Sequence, residues 1–232
     1  MTSPQLVLGL SLRDDATFKN FYVGDNALVL TALQDCLSGA GESFIYLWGA
    51  KGVGCSHLLQ ACCHAMSERH PVVYLDLEEY EDFSPEILDG LDHMDLICLD
   101  HINAVLNRKN WEEALFHFYN RAREQGKRLI VSGTTLPSQL PCMLEDLRSR
   151  LAWGLTFQVK PLDDSQKLSA LSMRAKNRGM ILPEASGLYL LHHTSRNLSE
   201  LFKTLDLLES ASLVEQRRIT VPFIKTVLSS IR

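Results

Sequence analysis

At 232 residues the chain has room for one ordinary domain, or a domain with a small appendage. A hydrophobic share of 46% and a charged share of 22% exclude disorder or a collagen-like repeat as a description of the whole. A net charge of -5 argues against gripping nucleic acid by bulk electrostatics, and no apolar run approaches the roughly 20 residues of a membrane span.

Met1 to Leu12 lacks a basic start and a long apolar run, so it is not read as a secretory signal. Six cysteines with no framework spacing then read as free thiols in a reducing cytosol. The triplet Cys62, Cys63 and His64 falls on an expected helix, where neighbours point about 100° apart and do not converge on one ion.

The first twenty residues precede any periodic element and read as a mobile tail. Phe44 to Trp48 reads as a strand, followed by a Gly-rich turn and a helix from about Cys55 to Arg69. Val72 to Leu77 is a second strand. Asp95 to Asp100 is a third, apolar enough to be buried on both faces. A helix follows over Asn110 to Gln125, with Trp111, Leu115, Phe118 and Ala122 on one face. Arg128 to Gly133 and Leu155 to Lys160 complete five strands. Strands alternating with helices imply right-handed crossovers and a mainly parallel sheet. After Pro161 only helical segments remain. One is capped by Asp163, Asp164 or Ser165, one opens at Pro183-Glu184, one spans Arg196 to Val214, and the last opens at Thr220-Val221-Pro222.

The strongest local signal is GAKGVGCSH, Gly49 to His57, between a strand and a helix. Gly49, Gly52 and Gly54 allow backbone N–H groups to turn around an anion, and the helix start adds its dipole. Ser56 stands where a hydroxyl coordinates Mg²⁺. The lysine expected before it is absent, and Cys55 takes its place. Losing that charge-assisted contact costs about 1.5–3 kcal/mol, about ten- to a hundredfold in triphosphate affinity. Whether Lys51 compensates stays open, as does a Gly-rich turn with no ligand. At the end of the third strand, Asp100 is placed to reach a metal. His101 follows, where hydrolytic proteins carry a second acid, and it brings no fixed negative charge. A strand-end carboxylate capping the next turn is the alternative for Asp100.

In this order the pieces resemble the DnaA-like branch of the AAA+ family. The resemblance runs through TFKNFYVGDN (Thr17 to Asn26), the loop ending Ser56-His57, the strand ending at Asp100, SGTTLPSQL (Ser132 to Leu140), LRSRLAWGL (Leu147 to Leu155) and RNLSELFKTL (Arg196 to Leu205). It implies a flexible tail over residues 1–16, an AAA+ α/β core with a P-loop over 17–162, and a helical lid over 163–232. It assigns nucleotide contacts to Tyr22, Val23, Gly49, Lys51, Gly52, Val53, Gly54, Cys55, Ser56, His57 and Asp100, with Mg²⁺ an option at Ser56 and Asp100. Four departures weaken triphosphate sensing or hydrolysis in cis: Cys55, His101, Thr134 in place of an acidic residue, and Ser199 in place of a lid arginine. Arg150 matches the family's arginine finger, and Arg148 is either interfacial or solvated.

Two features imply a regulator of the initiator rather than the initiator. No DNA-binding helix-turn-helix segment follows the lid, so no sequence-specific DNA contact is expected. QLVLGL, Gln5 to Leu10, is also similar to a peptide that docks the sliding clamp, the DNA polymerase III β subunit. Its Gln5 amide would sit at the rim and Leu6, Leu8 and Leu10 in an apolar cleft. A small edge strand is the alternative there. The resemblance thus implies a cytoplasmic inhibitor of DNA replication, drawn to the nucleoid by the clamp. It binds ADP or another nucleoside diphosphate structurally and donates Arg150 in trans to ATP-bound DnaA. A DnaA-like ATPase acting as a loader, or a clamp adaptor with a vestigial nucleotide site, are the rivals, and self-association stays open.

Overall fold

Strand-forming and helix-forming segments alternate along the first two thirds of the chain, and in the computed structural model they assemble as a layered α/β unit. The structure describes residues 12–79 and 82–230, Ser230 through its backbone alone. Gln5, Leu6, Leu8 and Leu10 lie outside the described residues. In chain order the regular elements are α1 (Ala27–Ser38), β1 (Phe44–Trp48), α2 (Cys55–Met66), β2 (Val72–Asp76), β3 (Leu96–Asp100), α3 (Lys109–Glu124), β4 (Arg128–Gly133), α4 (Glu145–Leu151) and β5 (Leu155–Gln158), then α5 (Asp164–Asn177), α6 (Glu184–His193), α7 (Leu198–Glu215) and α8 (Val221–Ser230).

The described residues divide into two units. The first contains residues 28–49 and 55–159 with the segment before 19, and the second contains 19–27, 50–54 and 160–232. The units divide at 159/160, beside the boundary expected at 162/163, and residues 19–27 and 50–54 group with the helical region.

In the first unit all sheet pairings are parallel, in the order β2-β3-β4-β1-β5. Every residue of β3 is buried, as its unbroken apolar run requires of a central strand. The edge strand β5 is open and accordingly mixed in polarity. Trp111, Leu115, Phe118 and Ala122 of α3 are buried against this sheet, as their spacing predicts.

Two helices go beyond the expected set. The first, α1, buries Val29, Leu33 and Cys36 at helical spacing, while apolar Leu28 stays 77% exposed and blurs the pattern. The second, α4, has seven residues, too few for a periodicity to show. The tail is also shorter than expected. Arg13 N–H donates to the Gln60 side chain, the His64 ring meets the Arg13 carbonyl at 3.0 Å, and Ala16 is fully buried. Residues 13–16 are held on α2 because these polar groups find partners there.

The second unit buries Leu171, Leu190, Leu201, Leu205, Phe223 and Ile224 among its four helices. Asp163 is the cap of α5: its carboxylate accepts from the Gln166 N–H and the Gln166 side chain accepts from the Asp163 N–H. Arg174 of α5 forks onto Asp206 of α7, and Arg178 bridges Asp206 and Glu209. Asn26 is 2% exposed and exchanges two hydrogen bonds with the Lys160 backbone, tying the 19–27 segment to the start of this unit. Among the described residues no helix is long and apolar enough to cross a membrane.

Candidate functional site

Ligands of open parallel sheets bind beyond the carboxyl ends of the strands, and the polar residues of the first unit gather there. Asp100 ends β3, next to Asp76 at the end of β2. It is completely buried. Its Oδ1 accepts from the Ser132 hydroxyl and from the His101 N–H at 3.1 Å, and its Oδ2 accepts from the Tyr74 hydroxyl at 2.7 Å. Three donors of the same unit therefore hold the carboxylate in place at the strand end, which leaves it about one of its four acceptor sites.

His101 follows it. Its backbone is left-handed, φ 54°, and its Nδ1 lies 2.8 Å from Asp76 Oδ1. The hydrogen bond to Asp76, reinforced by the charge of Asp100, raises the imidazole from 6.5 to about 9 against the opposing effect of burial. At neutral pH it is an imidazolium, so the position expected to be acidic carries positive charge. Asp76, Glu78 and His101 place their ligand atoms within 4.8 Å of one another, a grouping that sequence order does not reveal. Within it, His101 and Asp76 are hydrogen-bonded to each other.

Cys55 opens α2 and confirms the missing cation. Burial, then the charge of Asp100, push its thiol up to about 12, so it stays neutral. His57 is also committed, with Nε2 2.8 Å from the Thr17 carbonyl. Ser56 is half-buried in the first turn. A neutral thiol at this position brings no fixed positive charge to a triphosphate.

In the second unit, residues 50–54 form the turn itself. Gly52 and Gly54 have φ of 89° and 112°, so both require glycine, and the Val53 N–H donates back to the Ala50 carbonyl. Asn197, the cap of α7, donates through Nδ2 to the Lys51 carbonyl at 3.1 Å and crowds the space a Gly52 side chain would need. Phe21 stands in the same way over Gly54. Tyr22 is half-buried and Val23 exposed.

Arg150 lies on α4, away from these groups in sequence but in the first unit with Asp100. It is half-buried. Its guanidinium carbon stands 3.9 Å over the Trp153 ring and 5.6 Å from that of Phe116, and its Nε is buried with no hydrogen-bond partner. Arg148 pairs with Glu145 at 3.1 Å on the surface, which favours its solvated reading. The sequence reading missed Glu112. It is 1% exposed and accepts the N–H groups of Asn107, Met143 and Leu144, fixing the approach to α4.

Residues 12–158 match the family model of the bacterial DnaA ATPase domain. The chain belongs to that family. The helical region of this DnaA-type chain, residues 164–228, matches the model of the Hda lid domain. Domain III of the Thermotoga maritima replication initiation protein DnaA is similar at 21% identity, with 94% of this chain and 98% of that one covered and a TM-score of 0.82. AMPPCP-bound DnaA from Aquifex aeolicus is similar at 23% identity over 86% of this chain and 66% of that one, TM-score 0.76. The Thermotoga maritima RuvB branch-migration motor shares the fold at 15% identity, covering 88% and 67%, TM-score 0.65. The parallel sheet, P-loop turn and helical lid are those of an AAA+ protein.

Proposed function

We propose that this DnaA-type chain restrains replication initiation by completing the nucleotide site of ATP-bound DnaA with Arg150. The observation that carries the reading is a contrast within one unit. Arg150 has no carboxylate partner among the described residues and an Nε without a hydrogen-bond partner, while Asp100 and His101 are hydrogen-bonded to their own neighbours and Cys55 stays a neutral thiol. A guanidinium brought to a transferring phosphoryl group stabilises the charge that develops there, worth about 10³–10⁵ in rate in GTPase systems. The chain acts as a regulatory partner, not as an ATPase. Initiator converted to the ADP form no longer starts replication.

The retained glycine turn, with its positive φ at Gly52 and Gly54, supports binding of ADP or another nucleoside diphosphate as a structural ligand, and the AMPPCP-bound relative supports nucleotide binding as such. Gln5, Leu6, Leu8 and Leu10 hold the sliding clamp, which raises the local concentration of Arg150 only where clamps have been loaded. The test is DnaA-bound ATP turnover in the presence of clamp loaded on DNA. Wild type stimulates it, Arg150→Ala does not but still binds clamp, and deletion of residues 1–12 removes both. Full stimulation by Arg150→Ala would leave only the clamp-adaptor reading.

A further inference from the structure

Several arginines described here spend their charge on carboxylates: Arg13 on Asp15, Arg121 on Asp89 and Asp92, Arg148 on Glu145, Arg174 and Arg178 on Asp206, Arg217 on Glu215. Arg150 and Arg123 do not. Both guanidiniums lie over one indole, Arg150 at 3.9 Å and Arg123 at 4.4 Å from the Trp153 ring centroid. Neither has an acidic partner among the described residues. Two like charges over one ring repel each other, and an aromatic face attracts a cation without neutralising it. A guanidinium stacked by its face keeps its N–H edge in plane, the geometry that binds phosphate oxygens two at a time.

Trp153 is built into place. Its backbone N–H donates to the Arg150 carbonyl at 3.1 Å, closing the turn after α4. The next residue, Gly154, runs so close to the Phe44 carbonyl that no side chain fits there. The indole is nevertheless 51% exposed. A large apolar ring left in water and two uncompensated cations on it together describe a seat for an anion brought by another molecule.

We propose that Trp153 is the positioning residue of Arg150 and that Arg123, stacked on the same indole, is a second cation binding the phosphate groups of a nucleotide held by a facing subunit. This rests on the reading of Arg150 as a residue acting in trans. The experiment measures turnover of DnaA-bound ATP against the concentration of this chain, with folding checked by circular dichroism. Trp153→Ala should lower the maximal rate about tenfold or more while the half-saturating concentration holds, and Trp153→Phe should restore most of the rate. Arg123→Gln should raise the half-saturating concentration about tenfold at an undiminished maximal rate. Removing Arg150 should shift the Trp153 fluorescence, measured as the difference between Arg150→Ala in wild-type and Trp153→Phe backgrounds. If Arg150→Ala is inactive but folded Trp153→Ala and Arg123→Gln are both normal, the seat is refuted while Arg150 keeps its role. If Arg150→Ala is normal, the underlying reading fails instead.

Discussion

Replacing Glu112 by alanine should weaken the fold and the presentation of Arg150 together. The carboxylate is 1% exposed and accepts three backbone N–H groups, from Asn107 at 2.8 Å, Met143 at 3.1 Å and Leu144 at 2.7 Å. Hydrogen bonds to a charged group contribute about 1.5–3 kcal/mol each, and donors left unpaired lose their desolvation compensation as well. Met143 is 64% exposed, so water replaces part of what its N–H loses. A net cost of about 3–5 kcal/mol follows, a large fraction of a domain's usual 5–15 kcal/mol. Asn107, held at φ 62°, loses its restraint too. Glu112→Gln keeps one carbonyl oxygen but turns an NH₂ toward a donor, and should cost about 2 kcal/mol. Urea unfolding measures both, and amide exchange should quicken at Met143 and Leu144, just ahead of α4. A loss below about 1 kcal/mol in the alanine variant, with exchange unchanged, would refute the reasoning.

Stability should also depend on pH through His101. Asp76 favours the imidazolium, so the folded value of about 9 lies above the free value of 6.5. The contribution is complete below pH 6.5 and fades as the pH rises through 9. The full shift corresponds to about 3 kcal/mol, but the pair is partly open, 26% and 22% exposed, and about 1–2 kcal/mol is expected after screening. Asp76→Asn should flatten the profile between pH 6.5 and 9 in denaturation series, and an unchanged slope would count against the pair. Cys55→Lys should raise ATP affinity ten- to a hundredfold by about 1.5–3 kcal/mol of restored charge; titration showing no gain would mean the loop does not bind phosphate as proposed. Asn197→Ala removes both the α7 cap on Ser199 and the bond to the Lys51 carbonyl, and should cost about 1–2 kcal/mol. Urea midpoints equal to wild type would rule that out.

The sheet was legible because burial on both faces leaves a mark one can read along the chain: Leu96 to Leu99 and Leu129 to Val131 are unbroken apolar runs. The loop was legible because its backbone needs glycine at 52 and 54. What escaped was whatever depends on strands meeting across the sheet. Tyr74, Asp100 and Ser132 come from β2, β3 and β4 and meet only through register, so the hydrogen bonds of Asp100 cannot be read in one dimension. Nor can the pairing of His101 with Asp76, 25 residues away. Glu112 looks like an ordinary first-turn acid of α3, and its three acceptor bonds reach residues up to 32 positions distant. Arg150 was visible through its motif, but Arg123 was not, because only the fold lays both guanidiniums on Trp153.

The most direct measurement is the single-turnover hydrolysis rate of ATP already loaded on DnaA, with clamp on DNA and this chain in excess. Wild type should accelerate it, and Arg150→Ala should fall by about 10³-fold or more while still binding clamp and diphosphate. An Arg150→Ala protein that accelerates hydrolysis as fast as wild type would contradict the account at its centre.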